Sequence, residues 1–390
     1  MRNVFGNSVL ILAMGCCPAA AADDPDSDPL AAVFRPELRS AVATVLDTHR
    51  DQRKYTDSQF PMSPDGFARF RRDTRGRLIE ALRLKDWVVA PEPGQASPLA
   101  ARFHDRRLKT ITQQGVTMEL HVVEIVETGD RVPMVICLPN GRGRRPGICC
   151  FSGHTGHGLR DLVLDLNSYQ RGIAVRLARA GFVSIAVEKI DTGYLSRDGA
   201  SGVDEKELAT FRLAWGRVTR THQLMACLAA VEILAAHPRV DATRIGATGV
   251  SLGGWLSVQT ALCSERIAAV ADFGRKTVAV PAGTEPGDFR GMGDLCHIIP
   301  GMAAVCDRNL LTLLYCPRPM LAGHGRKDAG SHREGPVSYQ RLFARQYQAL
   351  GKGDQYHYHI HDGGDTMPDQ VVIDYFRDVF AMPPAKKENK

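Results

Sequence analysis

The chain has 390 residues, 44% of them hydrophobic, with 49 Lys and Arg against 43 Asp and Glu and a formal charge of +6. That length allows two or three domains or one large α/β domain, and the apolar content is ample for a large buried core. Between Arg35 and Lys109 stand sixteen Lys/Arg and ten Asp/Glu, a surplus that equals the whole net charge; no aromatic stacking platform accompanies it, so nucleic acid has no support as a partner, and without a Cys-x-x-Cys pair neither has a structural zinc site.

In chain order, residues 1–22 read as a secretory signal: Arg2, the apolar run 9–14, then Ala20-Ala21-Ala22 before Asp23-Asp24. The run is too short to span a bilayer, and Ala13-Met14-Gly15 before Cys16-Cys17 fits a lipid-attachment box poorly. The expectation is an exported, secreted or periplasmic protein with no membrane contact after cleavage. Eight of the ten cysteines then remain. Cys296 with Cys306 is the most local pair for a disulfide, while Cys149 and Cys150 sit in an apolar strand pattern that suits buried thiols.

Residues 23–106 are expected to form a loose leader and a helical extension. Its helices cover 37–50 and 66–84, interrupted by Pro61-Met62-Ser63-Pro64, and it closes on a Pro/Gly/Ser-rich connector at 90–98. A catalytic domain is expected over 107–382, with 383–390 as a disordered tail. In it, 117–126, 132–138 and 147–151 read as strands. Alternation follows: helix 167–180 with Gly181 as its stop, strand 182–187, a polar insertion at 191–216, helix 219–237, strand 244–248, helix 252–262 and strand 267–273. Strands at 320–323 and 356–360 and helices at 337–350 and 368–380 complete the pattern. The fold class expected is α/β, with a mostly parallel central sheet, helices on both faces and catalytic groups at the carboxyl ends of the strands.

Between strand 244–248 and helix 252–262 lies Gly249-Val250-Ser251-Leu252-Gly253, a G-x-S-x-G sequence. A serine on such a turn projects its hydroxyl above the sheet, and the glycines avoid collisions with the neighbouring strand and helix. The bland alternative is an N-cap in a glycine-rich turn. As nucleophile, Ser251 needs a base and an acid, in the chain order serine, acid, histidine. Asp328, after strand 320–323, is the expected acid, with Asp272 as a fallback. The base expected is His361, at the start of a turn-forming loop, rather than His357 or His359 within the strand. The oxyanion hole is expected from the N–H of Leu252 and that of Thr155 in the loop Gly153-His154-Thr155-Gly156-His157-Gly158. His154, His157 and Tyr194 of the polar insertion are expected to meet substrate. Paired histidines can hold a metal, but no cysteine or carboxylate stands nearby at ligand spacing, so no metal and no other cofactor is expected.

Three stretches together, the Gly153–Gly158 loop, Asp241-Ala242-Thr243-Arg244-Ile245-Gly246 leading to Gly249-Val250-Ser251-Leu252-Gly253-Gly254, and Pro317-Arg318-Pro319-Met320-Leu321 leading to Asp328, resemble the α/β-hydrolase superfamily. The likeness is to exported bacterial acetyl xylan esterases and dienelactone-hydrolase-related serine esterases. It implies cofactor-free ester hydrolysis through an acyl-serine, on small-molecule or carbohydrate esters, and leaves oligomeric state open. It also implies Gly-Gly-His after the last strand, where this chain reads Gly363-Gly364-Asp365. Other expectations are a serine peptidase resembling the prolyl oligopeptidase catalytic domain, for which residues 23–107 are too short to supply a propeller, and a catalytically impaired binding protein of the same fold.

Overall fold

A computed structural model describes residues 60, 63–88, 97–196, 205–274, 295–306, 308–328 and 334–382. These belong to one compact unit, residues 52–390. The expected signal peptide, the leader, the helix at 37–50 and the tail at 383–390 lie outside the described residues. Nine strands form one sheet in the order β1-β2-β3-β5-β4-β6-β7-β8-β9. They are β1 (Phe103–Gln113), β2 (Val116–Ile125), β3 (Arg131–Leu138), β4 (Arg145–Phe151), β5 (Val183–Val187), β6 (Val240–Val250), β7 (Ile267–Phe273), β8 (Met320–Gly325) and β9 (Tyr356–His361). The first three pair antiparallel and β5 runs antiparallel to β3, whereas every pairing from β5 through β4 to β9 is parallel.

Helices cover both faces. They are α1 (Pro64–Ala81), α2 (Leu159–Val163), α3 (Ile173–Arg179), α4 (Glu205–Ala214), α5 (Thr219–Ala236), α6 (Leu252–Cys263), α7 (Glu334–Ala349) and α8 (Asp369–Val379). Alternate strand residues feed opposite cores: Cys149 and Ile185 pack with α5 and α6, while Ile148, Cys150 and Ala186 pack with α2, α3 and α8. The eight cysteines of the described residues are all buried, Cys296 and Cys306 included. Burial pushes the Cys149 and Cys150 thiols well above their ordinary range, which suits packing rather than reactivity.

The helical extension is part of the body. Ser63 caps α1 by accepting the Gly66 N–H at 3.2 Å, and Pro64 occupies its first turn. The face carrying Phe67, Phe70 and Leu78 joins the core shared with α5 and α6, and Arg75 donates to the Leu262 carbonyl at 2.9 Å.

Three expectations change. The boundary at 106/107 falls inside β1, an edge strand whose residues are nearly all exposed and which therefore shows no apolar alternation. It is tied down by polar contacts, Arg107 to Glu119 and Asp105 to His121, on β2. Helix 167–180 shrinks to Ile173–Arg179, because Gly172 takes a left-handed φ of 58° and residues 165–172 turn instead. The polar insertion contains α4, held by an ion pair from Arg212 to the buried Asp191.

Candidate active site

At the carboxyl end of β6 the chain turns into α6 through Ser251, whose φ of 60° and ψ of −123° lie where non-glycine residues are strained. Close packing enforces this turn. A Cβ on Gly249 would sit 2.3 Å from the Gly253 carbonyl carbon, and one on Gly253 would sit 2.1 Å from the Phe151 carbonyl oxygen. The Ser251 N–H donates to Phe273 O at 2.8 Å, and its carbonyl accepts from Gly254 at 3.1 Å. Its side chain makes no capping hydrogen bond, so the N-cap role weighed for it is not what the hydroxyl does. Leu252 is the first residue of the twelve-residue α6, placing its N–H among those a helix leaves without an internal acceptor.

The loop leaving β4 passes against this turn. A Cβ on Gly153 would meet Val250 O at 2.6 Å and Ser251 Cβ at 3.2 Å, so only glycine fits there. Thr155, two residues on, braces the loop: its hydroxyl donates to the buried Asp161 and accepts the His157 N–H at 3.1 Å. Beneath the loop lies Glu188, fully buried after β5. Its carboxylate accepts backbone N–H groups from Leu159 at 3.1 Å, Lys189 at 3.0 Å and Tyr194 at 3.2 Å. Burial pushes Glu188 up to about 7 despite those three donors and the Lys189 charge.

The expected acid and base come from adjacent strands. β8 and β9 pair with Gly325 opposite His361, and Asp328 follows β8 by three residues, buried and with its N–H on Gly325 O at 3.0 Å. The His361 ring lies 6.2 Å from Phe273, the residue whose carbonyl holds the Ser251 N–H. His357 and His359 share its sheet face, against Tyr375 and Phe273. Burial holds His361 below its ordinary pKa, reinforced by His359 and His324 and opposed by the Asp362 and Asp328 charges. Its Nδ1 accepts the Gly363 N–H at 3.1 Å, and its Nε2 is buried with no hydrogen-bond partner among the described residues. In a serine triad Nδ1 instead donates to the acid. Asp272, the fallback acid, packs under α6, where a Cβ on Gly254 would lie 2.1 Å from its carboxylate.

Residues 135–282 match the family model described as the dienelactone hydrolase family. No curated protein matches the chain. Among solved structures, it superposes on a methylesterase with TM-score 0.60 and 20% identity, covering 83% of this chain and 66% of that one. A candidate acetyl xylan esterase from Bacteroides fragilis gives TM-score 0.60 at 16% identity over 84% of this chain and 85% of its own. A glucuronoyl esterase from Solibacter usitatus gives 0.52 at 14% over 82% and 95%. The fold is that of the α/β-hydrolases. The chain spans about two thirds of the length of that methylesterase.

In this fold Ser251 stands on the turn from β6 into α6 with Leu252 directly after it, the Gly153–Gly158 loop leaves β4 beside that turn, Asp328 follows β8, and His361 is the last residue of β9, not a residue of the loop beyond it as expected. The structure adds two residues to this site. Tyr169 brings its hydroxyl, which is buried, to within 2.3 Å of where a Gly153 Cβ would be. Burial, then the nearby Asp365 charge, raises its pKa, so it stays a neutral donor. Asp365 lies where a Cβ on Gly274 would meet its carboxylate at 2.1 Å, and the Met367 N–H donates to Tyr169 O at 2.8 Å, so the loop after β9 reaches the same place. Tyr169 carried no sequence signal beyond a supposed helix; Asp365 was visible as the departure from Gly-Gly-His. Of the three residues expected to meet substrate, His157 is exposed, Tyr194 is exposed by 43%, and His154 instead packs on Cys296 and His297.

Proposed function

We propose that this protein is an exported serine esterase acting on carboxylic esters, with esterified carbohydrate as the substrate class. The observation that carries the reading is Ser251, held at φ 60° on a strand-to-helix turn with its hydroxyl uncommitted to capping. The superposed structures named as methylesterase and glucuronoyl esterase support an ester substrate, and no described helix is long and apolar enough to cross a membrane.

In this mechanism Ser251 Oγ attacks the ester carbonyl carbon and His361 accepts its proton. The oxyanion is held by the N–H of Leu252 and by the loop carrying Thr155. His361, neutral near pH 7 because burial lowers its pKa, returns the proton to the leaving alcohol. Asp328 stabilises the imidazolium, and water repeats the sequence on the acyl-serine to release the acid. The ring must first give up the Gly363 N–H that occupies Nδ1 at rest.

That occupied nitrogen and Asp365 favour one further reading, a binding protein with an impaired triad. The two are separated by p-nitrophenyl acetate turnover and organophosphonate labelling of wild type, Ser251→Ala, His361→Ala and Asp365→His. The esterase reading expects wild-type turnover that both alanine variants lose. No wild-type turnover or labelling above Ser251→Ala, with activity appearing in Asp365→His, establishes the impaired triad.

A further inference from the structure

His154 follows Gly153, the residue that packs against the Ser251 Cβ. Its ring meets two residues from a distant part of the chain. Cys296 and His297 lie on a single 3-10 turn, Leu295–His297, and His154 Nε2 is 3.2 Å from Cys296 Sγ. The His154 and His297 rings stack with centroids 5.1 Å apart and planes 28° apart. One ligand atom from each of the three residues lies within 4.8 Å of the other two; the cysteine is buried and both histidines are half-buried. The expectation of no metal rested on the absence of a cysteine near the paired histidines in sequence. Folding supplies that cysteine from 142 residues away.

We propose that His154, Cys296 and His297 bind a thiophilic divalent cation, zinc in chemical class. Tetrahedral zinc with bonds of about 2.0–2.1 Å to nitrogen and 2.3 Å to sulfur sets ligand atoms about 3.3–3.6 Å apart. The His154–Cys296 separation of 3.2 Å is a few tenths of an ångström short of that, and a separation at the 4.8 Å limit has to close by about 1.2–1.5 Å. One thiolate with two imidazoles selects zinc-like ions over the oxygen-seeking magnesium and calcium. Three protein ligands leave the fourth position to water or to an oxygen of a bound substrate, as in open zinc sites. Binding forms an S–metal bond and breaks the Cys296 S–H bond, and the proton goes to solvent. The proposal stands apart from the esterase reading, since its readouts need no turnover.

The test uses the full chain, stripped with a chelator and titrated with Co²⁺, with Zn²⁺ then displacing it. The expected result is one equivalent bound, about one proton released, and a near-ultraviolet thiolate-to-cobalt band. Cys296→Ser abolishes the band. His154→Ala and His297→Ala weaken binding by more than the roughly 10–100-fold that supporting residues of metal sites are worth. Cys263→Ala, a thiol buried in α6, leaves the titration unchanged, and near-ultraviolet circular dichroism of each stripped variant checks its fold. No band or proton release in wild type overturns the site, as does a band that survives in Cys296→Ser with wild-type affinity.

Discussion

Replacing Glu188 by Gln tests the energetic cost of the brace under the loop after β4. The carboxylate takes three backbone N–H bonds, from Leu159, Lys189 and Tyr194, and thereby ties the loop after β4 to the turn after β5. Cβ atoms on Gly158 and Gly193 would lie 1.9 and 2.5 Å from it, so the cradle is shaped to this side chain. Burial still dominates, raising Glu188 from 4.5 to about 7. A carboxyl group whose folded pKa is raised takes up a proton on folding between those two values. Its stabilising contribution is therefore complete below pH 4.5 and is lost as pH rises toward and through 7. At about 1.4 kcal/mol for each pH step between the unfolded and folded values, the loss is of order 3 kcal/mol between pH 5 and pH 8. The assay is urea unfolding of wild type and Glu188→Gln across that range, compared as a difference so that other titrating groups cancel. The expected difference shifts against wild type by about 3 kcal/mol as pH rises. Parallel stability curves, or a difference of opposite sign, refute the claim that burial outweighs the three donors.

Kinetics supply a second pH test. With His361 as base held below 6.5 chiefly by burial, kcat/KM for p-nitrophenyl acetate falls as pH drops through a midpoint below 6.5 and is level from pH 7 upward as far as this group is concerned; a midpoint above 6.5 contradicts the assignment. At the elbow, Gly253→Ala forces a Cβ to within 2.1 Å of the Phe151 backbone oxygen, and thermal unfolding should show a loss of about 1–3 kcal/mol. Gly76→Ala on α1, with nothing within 4 Å, should gain about 0.5–1 kcal/mol in the same measurement.

Much of the architecture was legible along the chain because it rests on local periodicity. β4 and β5 read as unbroken apolar runs since both their faces are covered, and α5, buried along nearly its whole length, read as a long helix ending before Pro238. β1 was missed for the converse reason: an exposed edge strand held by Arg107, Asp105 and their partners has no apolar rhythm to detect. The helix expected at 167–180 was overextended because Gly172 breaks it through a backbone conformation that composition alone does not announce.

The site divides along the same line. The amino-acid sequence by itself made the turn legible, because Gly249, Ser251 and Gly253 fall within five consecutive residues, although the crowding that demands Gly253 comes from Phe151 on the neighbouring strand. It also determined which strand ends carry Asp328 and His361, since alternation of strand and helix sets that order. Only the tertiary structure decided what those side chains touch. The Gly363 N–H on His361, Tyr169 and Asp365 beside the elbow, Glu188 beneath the loop, and His154 against Cys296 and His297 are set by sheet register and loop paths. Neither the local hydrogen bond from Gly363 to His361 nor the contact between His154 and Cys296, 142 residues apart, is recorded by hydrophobic periodicity.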